Sequence, residues 1–225
     1  MFRKVTILLS GSLIAQLLPL LSAPLLTRIY SPEAFGEFGF FVAIASILGA
    51  LANLKFEHAI LIAKNSVVAF HVLLLALIST GFISLTLFLL FLFAPNDVFD
   101  SKWFTITESQ AIFLPIYFLF VGLSNAFSSM LFRSEQFAAV AKSRVAQAFV
   151  VTGLMIFFGR IYPGGLTLIL STIVGQSVCI LAMLTLRDSK ITIATGLRKS
   201  LLVRSFKRYK RFPLFTVPSD LLNVL

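Results

Sequence analysis

Apolar stretches too long for the helices of a water-soluble core constrain this chain before anything else does. The run LLLALISTGFISLTLFLLFLF carries no charged residue, and it continues past the roughly 18 residues at which a bilayer crossing becomes the better reading. Lipid offers no hydrogen-bond partners, so a crossing segment must be a helix or a strand of a closed barrel. The run lacks the alternation of a barrel strand, which leaves helices. Apolar residues make up 58% of the 225 positions and charged residues 12%, too few polar side chains to cover a globule in water. The expected fold class is therefore all-α, a polytopic membrane helix bundle.

A window of about 19 residues places six transmembrane helices at 5–26, 35–63, 67–93, 111–132, 145–159 and 166–186. The opening MFRKV has the basic start of a secretory signal, but the apolar stretch behind it is longer than a signal core and contains Pro19 and Pro24, so it reads as a first span. Residues 1–186 form a six-helix lobe, 187–211 a basic linker, and 212–225 the start of a truncated seventh helix. The chain thus reads as one half of a larger transporter or a truncated product.

Lys and Arg near span ends are retained in the cytoplasm. Arg3, Lys4, Lys64, Arg133, Lys142, Arg144 and nine basic residues from Arg187 to Arg211 fall on one side, against Arg28, Lys102 and Arg160 on the other. Both termini are therefore expected to be cytoplasmic. The loop 94–110, with Asp97, Asp100, Glu108 and Trp103 as an interfacial anchor, is expected outside. The net charge of +10 and the KRYKR cluster follow from this topology and from anionic headgroups, with no nucleic-acid partner.

Polar side chains inside a bilayer prefer a packed interface or a wet cavity, so their helical phase marks interior faces. Ser12, Gln16, Pro19, Ala23 and Thr27 form one such stripe. Ser46, Gly49, Ala50, Asn53 and Glu57 form a second, Val121, Asn125, Ser128 and Ser129 a third, and Thr167, Ser171, Gly175 and Ala182 a fourth. Spans one, two, four and six are thus expected to share a polar interior, with the third span mainly facing lipid. Glu57 either pairs with a base or takes up a proton. Lys55, about 200° away on the same helix, snorkels to the interface. His58 is an interfacial histidine beside them. Arg28 closes the first helix and either snorkels or enters the cavity mouth, where a guanidinium matches phosphate oxygens. Pro19 removes a backbone donor in mid-span and is the likelier hinge or static kink.

Two histidines, a lone Cys179 and the lack of a glycine-rich phosphate loop or nucleophile elbow predict no enzyme, no metal and no cofactor. Cys179 reads as a small buried hydrophobe.

The stretch LLTRIYSPEAFGEFGFFVAIASILGALANLKFEHAILIAK resembles the first two helices of bacterial polysaccharide (O-antigen) flippases, within the multidrug/oligosaccharidyl-lipid/polysaccharide exporter superfamily. The matching positions are Arg28, Pro32, Glu33, Phe35 and Gly36 in the turn, and Lys55, Phe56, Glu57 and Ala59 after it. The ending YKRFPLFTVPSDLLNVL is similar to the family's entry into its seventh helix. The resemblance implies a bacterial inner-membrane flippase of undecaprenyl-diphosphate-linked oligosaccharides, of which this chain is the N-terminal lobe, partnered by a second lobe or a homodimer. Arg28, Gln16, Asn53 and Asn125 are then the candidate substrate contacts, and Glu57, Lys55 and Pro19 the gating or coupling candidates. Charge-neutral replacement of Arg28 is expected to abolish surface polysaccharide. A small-molecule exporter of the same superfamily, which would favour interior acids, and an inactive fragment or scaffold are the alternatives.

Overall fold

A computed structural model describes residues 2–93, 108–187, 199–209 and 216. Among these residues the helices are α1 (Phe2–Ile29), α2 (Pro32–Leu51), α3 (Phe56–Ile62), α4 (Ser66–Leu92), α5 (Glu108–Ala111), α6 (Phe113–Arg133), α7 (Phe137–Gly159), α8 (Gly165–Leu186) and α9 (Lys199–Tyr209). A 3-10 turn, Ala52–Lys55, joins α2 to α3, and no described residue is in a strand. Six segments are long and apolar enough to cross a membrane: Thr6–Ile29, Pro32–Ile62, Ser66–Leu92, Phe113–Arg133, Phe137–Gly159 and Gly165–Leu186. The chain is a multi-pass membrane protein with an all-α fold.

Local chemistry sets the helix ends. Ser31 accepts a hydrogen bond from the Ala34 amide and Pro32 follows at the first helical position, the arrangement expected of a helix start. After α6 the amide of Gln136 donates to the Leu131 carbonyl at 2.9 Å and that of Glu135 to Phe132 at 3.0 Å, with Glu135 left-handed at φ 56°. That is a Schellman closure with glutamate where glycine is preferred.

The fifth span differs from expectation at its start. It begins at Phe137 rather than at 145, because Lys142 and Arg144 lower the hydropathy of its first turns although the backbone is already helical. Arg144 therefore lies about 10 Å along the helix from its start at 1.5 Å per residue, inside the span rather than in a loop.

Small residues let the helices approach closely. A Cβ on Gly11 of α1 would come within 2.7 Å of Ala141 on α7, one on Gly122 of α6 would overlap Thr80 of α4, and one on Gly175 of α8 would overlap Val151 of α7. Helix α7 thus lies between α1 and α8, and α6 between α8 and α4. The third span, expected to face mainly lipid, also has a packed face. Helix α4 buries His71, Val72, Leu73, Ala76, Thr80 and Ser84, and Ser84 donates to the Pro115 carbonyl at 2.8 Å. The hydropathy of α4 hid this contact, because a buried apolar face and a lipid face have the same composition. Leu13, Leu17, Leu20 and Leu21 stand exposed along α1, as they should where the solvent is hydrocarbon.

Part of the basic linker is the amphipathic helix α9. It packs on α4, burying Ser205 and Tyr209 and setting Phe206 6.2 Å from Phe56 of α3. The expected outer anchor Trp103 lies outside the described residues, as does the expected seventh-helix start apart from Thr216.

Candidate functional site

The second span is not one helix. Asn53, Leu54 and Lys55 have φ of 59°, 46° and 59°, three successive left-handed residues in a region where each non-glycine residue costs roughly 1–2 kcal/mol. Asn is the residue among them that tolerates this conformation best. Irregular backbone at membrane depth persists only where protein or a wet cavity surrounds it, and here the Asn53 carboxamide ties the break to its neighbours. Fully buried, its Nδ2 donates to Glu57 Oε2 at 2.7 Å and to the Gly122 carbonyl at 2.9 Å. Its Oδ1 accepts from the Thr80 hydroxyl at 2.5 Å. One side chain thereby pins α2, α3, α4 and α6 together. The i+4 relation of Asn53 and Glu57 in the sequence survives as a direct contact, although the backbone between them is not α-helical. Lys55 sits half-buried in the break and His58 is exposed just after it.

A second chain of amides starts on the other side of α6. Gln147 of α7 donates to Gln176 of α8, and Gln176 donates to Ser124 of α6, whose hydroxyl donates to the Val121 carbonyl at 2.9 Å. Gly122 and Ser124 are about 200° apart at 100° per residue, so α6 carries the Asn53 cluster on one face and the glutamine relay on the other.

The relay ends in a cleft. Roughly 340 Å³ of space between α1, α6, α7 and α8 is lined by Gln16, Pro19, Tyr117, Arg144, Gln147 and Thr172, among others. Gln16 is about 15 Å into the first span by helical rise, near mid-membrane. A guanidinium at the depth of Arg144 is costly unless it faces water or a partner, and the cleft gives it amides, a hydroxyl and open space.

The structure thus brings together Gln16 and Pro19 in the cleft, and Asn53 and Glu57 in the break. It does not bring Arg28 to either, since that side chain is exposed at the end of α1. Asn125 is half-buried on α6 and belongs to neither hydrogen-bonded cluster. The residues that sequence reasoning missed are Arg144, Gln147, Gln176, Thr80 and Ser124. For Arg144 a signal existed: a span of only 15 residues at 145–159 is too short to cross, and extending it backwards takes in Lys142 and Arg144. Glu37 was missed as well. It accepts from Gln110 at 2.7 Å, where α2 meets α5. Between α1 and α2, buried Tyr30 donates to the Met155 carbonyl at 2.7 Å, and burial pushes its phenol above the usual range. Among the described residues no group of His, Cys, Asp or Glu is placed to hold a metal.

The model of a family described as polysaccharide biosynthesis protein matches residues 1–220. No curated protein and no solved structure matches the chain significantly.

Proposed function

From the chain's membership of the polysaccharide biosynthesis protein family, we propose that it is a flippase lobe that carries undecaprenyl-diphosphate-linked oligosaccharides across the bacterial inner membrane, with both termini cytoplasmic. The observation that carries this reading is Arg144 in a polar cleft between α1, α6, α7 and α8. A lipid-linked diphosphate needs a cation at membrane depth and amides or hydroxyls for its sugars, while its lipid tail stays in hydrocarbon. Arg144 supplies the cation, with a planar fork that matches phosphate oxygens. Gln16, Gln147 and Thr172 supply the neutral polar contacts. Arg28, at the far end of α1, is the outer contact that receives the diphosphate after crossing.

Alternating access needs elements that hold two arrangements. Pro19 removes a backbone donor from α1 beside the cleft, and the break at Ala52–Lys55 divides the second span. The Glu57 carboxylate, held by the Asn53 amide at the break, is assigned the coupling role, with Lys55 its neighbour at the gate. A second lobe or a second copy would complete the central cleft. Asn125 is assigned to sugar contact on the opposite half of the cycle.

Replacement of Arg144 in the host gene tests this. Arg144→Gln, at unchanged protein level, is expected to remove surface polysaccharide and to leave lipid-linked oligosaccharide accumulating at the cytoplasmic leaflet. Surface polysaccharide at the wild-type level would overturn the assignment, and export of cationic drugs altered in its place would favour the small-molecule exporter.

A further inference from the structure

A groove of roughly 220 Å³ runs between α4, α6 and α8, away from the polar cleft. Phe70, Leu74, Phe127, Leu131 and Leu184 form its walls and Arg187 stands at its end. The space equals that of about seven waters, yet the walls offer water almost nothing to bond. Phe70 and Leu74 continue to Leu77 along α4, a trough about 10 Å long by helical rise and parallel to the helices, which is also the direction of acyl chains.

The charge at its end is specific. Arg187 follows the last residue of α8 and is exposed. Arg133, at the same end of the bundle, donates to the Ile60 and Leu61 carbonyls at 3.2 Å each, so its guanidinium is occupied. Helix α9 lies at this membrane face too. With Ser205 and Tyr209 against α4, its Val203 and Phe206 are exposed on one flank, and Arg204, Lys207 and Arg208 on the other. Apolar and basic flanks side by side are the pattern of a helix lying in an anionic interface. The cluster that buries Tyr209 also contains Leu73 and Met130, and both of these line the groove. Groove and helix therefore share a wall.

We propose that the groove is a resident site for an anionic phospholipid of the leaflet in which α9 lies, with one acyl chain in the trough and the headgroup phosphate on Arg187. Filling the trough supports the cluster on which α9 is seated, so the lipid acts as part of the structure between bundle and linker.

Native mass spectrometry of the purified full chain in detergent tests this, with phosphatidylglycerol and phosphatidylcholine of identical acyl chains offered at equal concentration. One phosphatidylglycerol is expected to be retained with about tenfold preference, because the choline ammonium of phosphatidylcholine sits beside the same phosphate and offsets its attraction to Arg187, whereas phosphatidylglycerol carries a net negative charge. Arg187→Gln should erase the preference, Arg187→Lys should keep part of it, and Leu74→Trp should reduce retention of both lipids by filling the trough. Equal retention of the two lipids by the wild type overturns the site. So does a preference that survives Arg187→Gln, or one lost only when Arg204, Lys207 and Arg208 are neutralised. The measurement involves no polysaccharide and no transport, so its failure leaves the flippase reading untouched.

Discussion

At the scale of single residues, Asn53 determines whether the second span can be broken where it is. Leu54 and Lys55 have no conformational reason to be left-handed, so the strain of the break rests on the three contacts of the Asn53 carboxamide. Asn53→Leu removes the amide donor from the Glu57 carboxylate and the Gly122 carbonyl and leaves the Thr80 hydroxyl with the Ala76 carbonyl alone. It should destabilise the protein by roughly 2–4 kcal/mol, read as an earlier midpoint of denaturant unfolding in lipid bicelles. The opposing wall is equally tight. Gly122→Ala drives a methyl into the Thr80 side chain, an overpacking that costs about 1–3 kcal/mol. Adding Thr80→Ser, which removes the methyl and keeps the hydroxyl, should restore part of that loss. If the double variant is no better than Gly122→Ala, the two residues are not in contact.

At the scale of elements, the turn after α6 offers a gain rather than a loss. Glu135 occupies the left-handed position of the Schellman closure, so Glu135→Gly should raise stability by about 1 kcal/mol, seen as a later unfolding midpoint. How much of each element was legible in the sequence depends on what makes it. The spans were legible because hydrocarbon selects composition directly, but the start of α2 was read at 35, with Pro32 and Glu33 in a turn, although Ser31 and Pro32 carry their own cap chemistry and begin the helix at Pro32. The break at Ala52–Lys55 was not legible. It contains no glycine or proline, and only the buried partners on α4 and α6 make Asn53 worth its strain. Thr80 sat in the most uniform apolar run of the chain, where a single hydroxyl barely alters hydropathy. Gln147 and Gln176 find each other across two helices, a pairing that one-dimensional phase cannot supply. Gln16 and Pro19 were legible because both fall on a single helical stripe.

At the scale of the whole molecule, six crossings return the chain to the face at which it began. The surplus of basic residues at that face is the ground for the proposed cytoplasmic orientation. In a Cys179→Ser background, a cysteine at Arg204 should react with a membrane-impermeant maleimide only in inside-out vesicles, and one at Arg160 only in intact spheroplasts. The reverse pattern would invert the bundle and with it the direction assigned to transport. The central claim is narrower: the space between α1 and α7 is wet and receives a diphosphate. Its most direct measurement is the reactivity of Gln147→Cys, in the same background, towards a small water-soluble thiol reagent, with and without undecaprenyl diphosphate. The account predicts rapid labelling that the ligand slows, while Leu21→Cys on the lipid-facing side of α1 stays inert. Labelling of Gln147→Cys as slow as that of Leu21→Cys, or unaffected by the ligand, would contradict it.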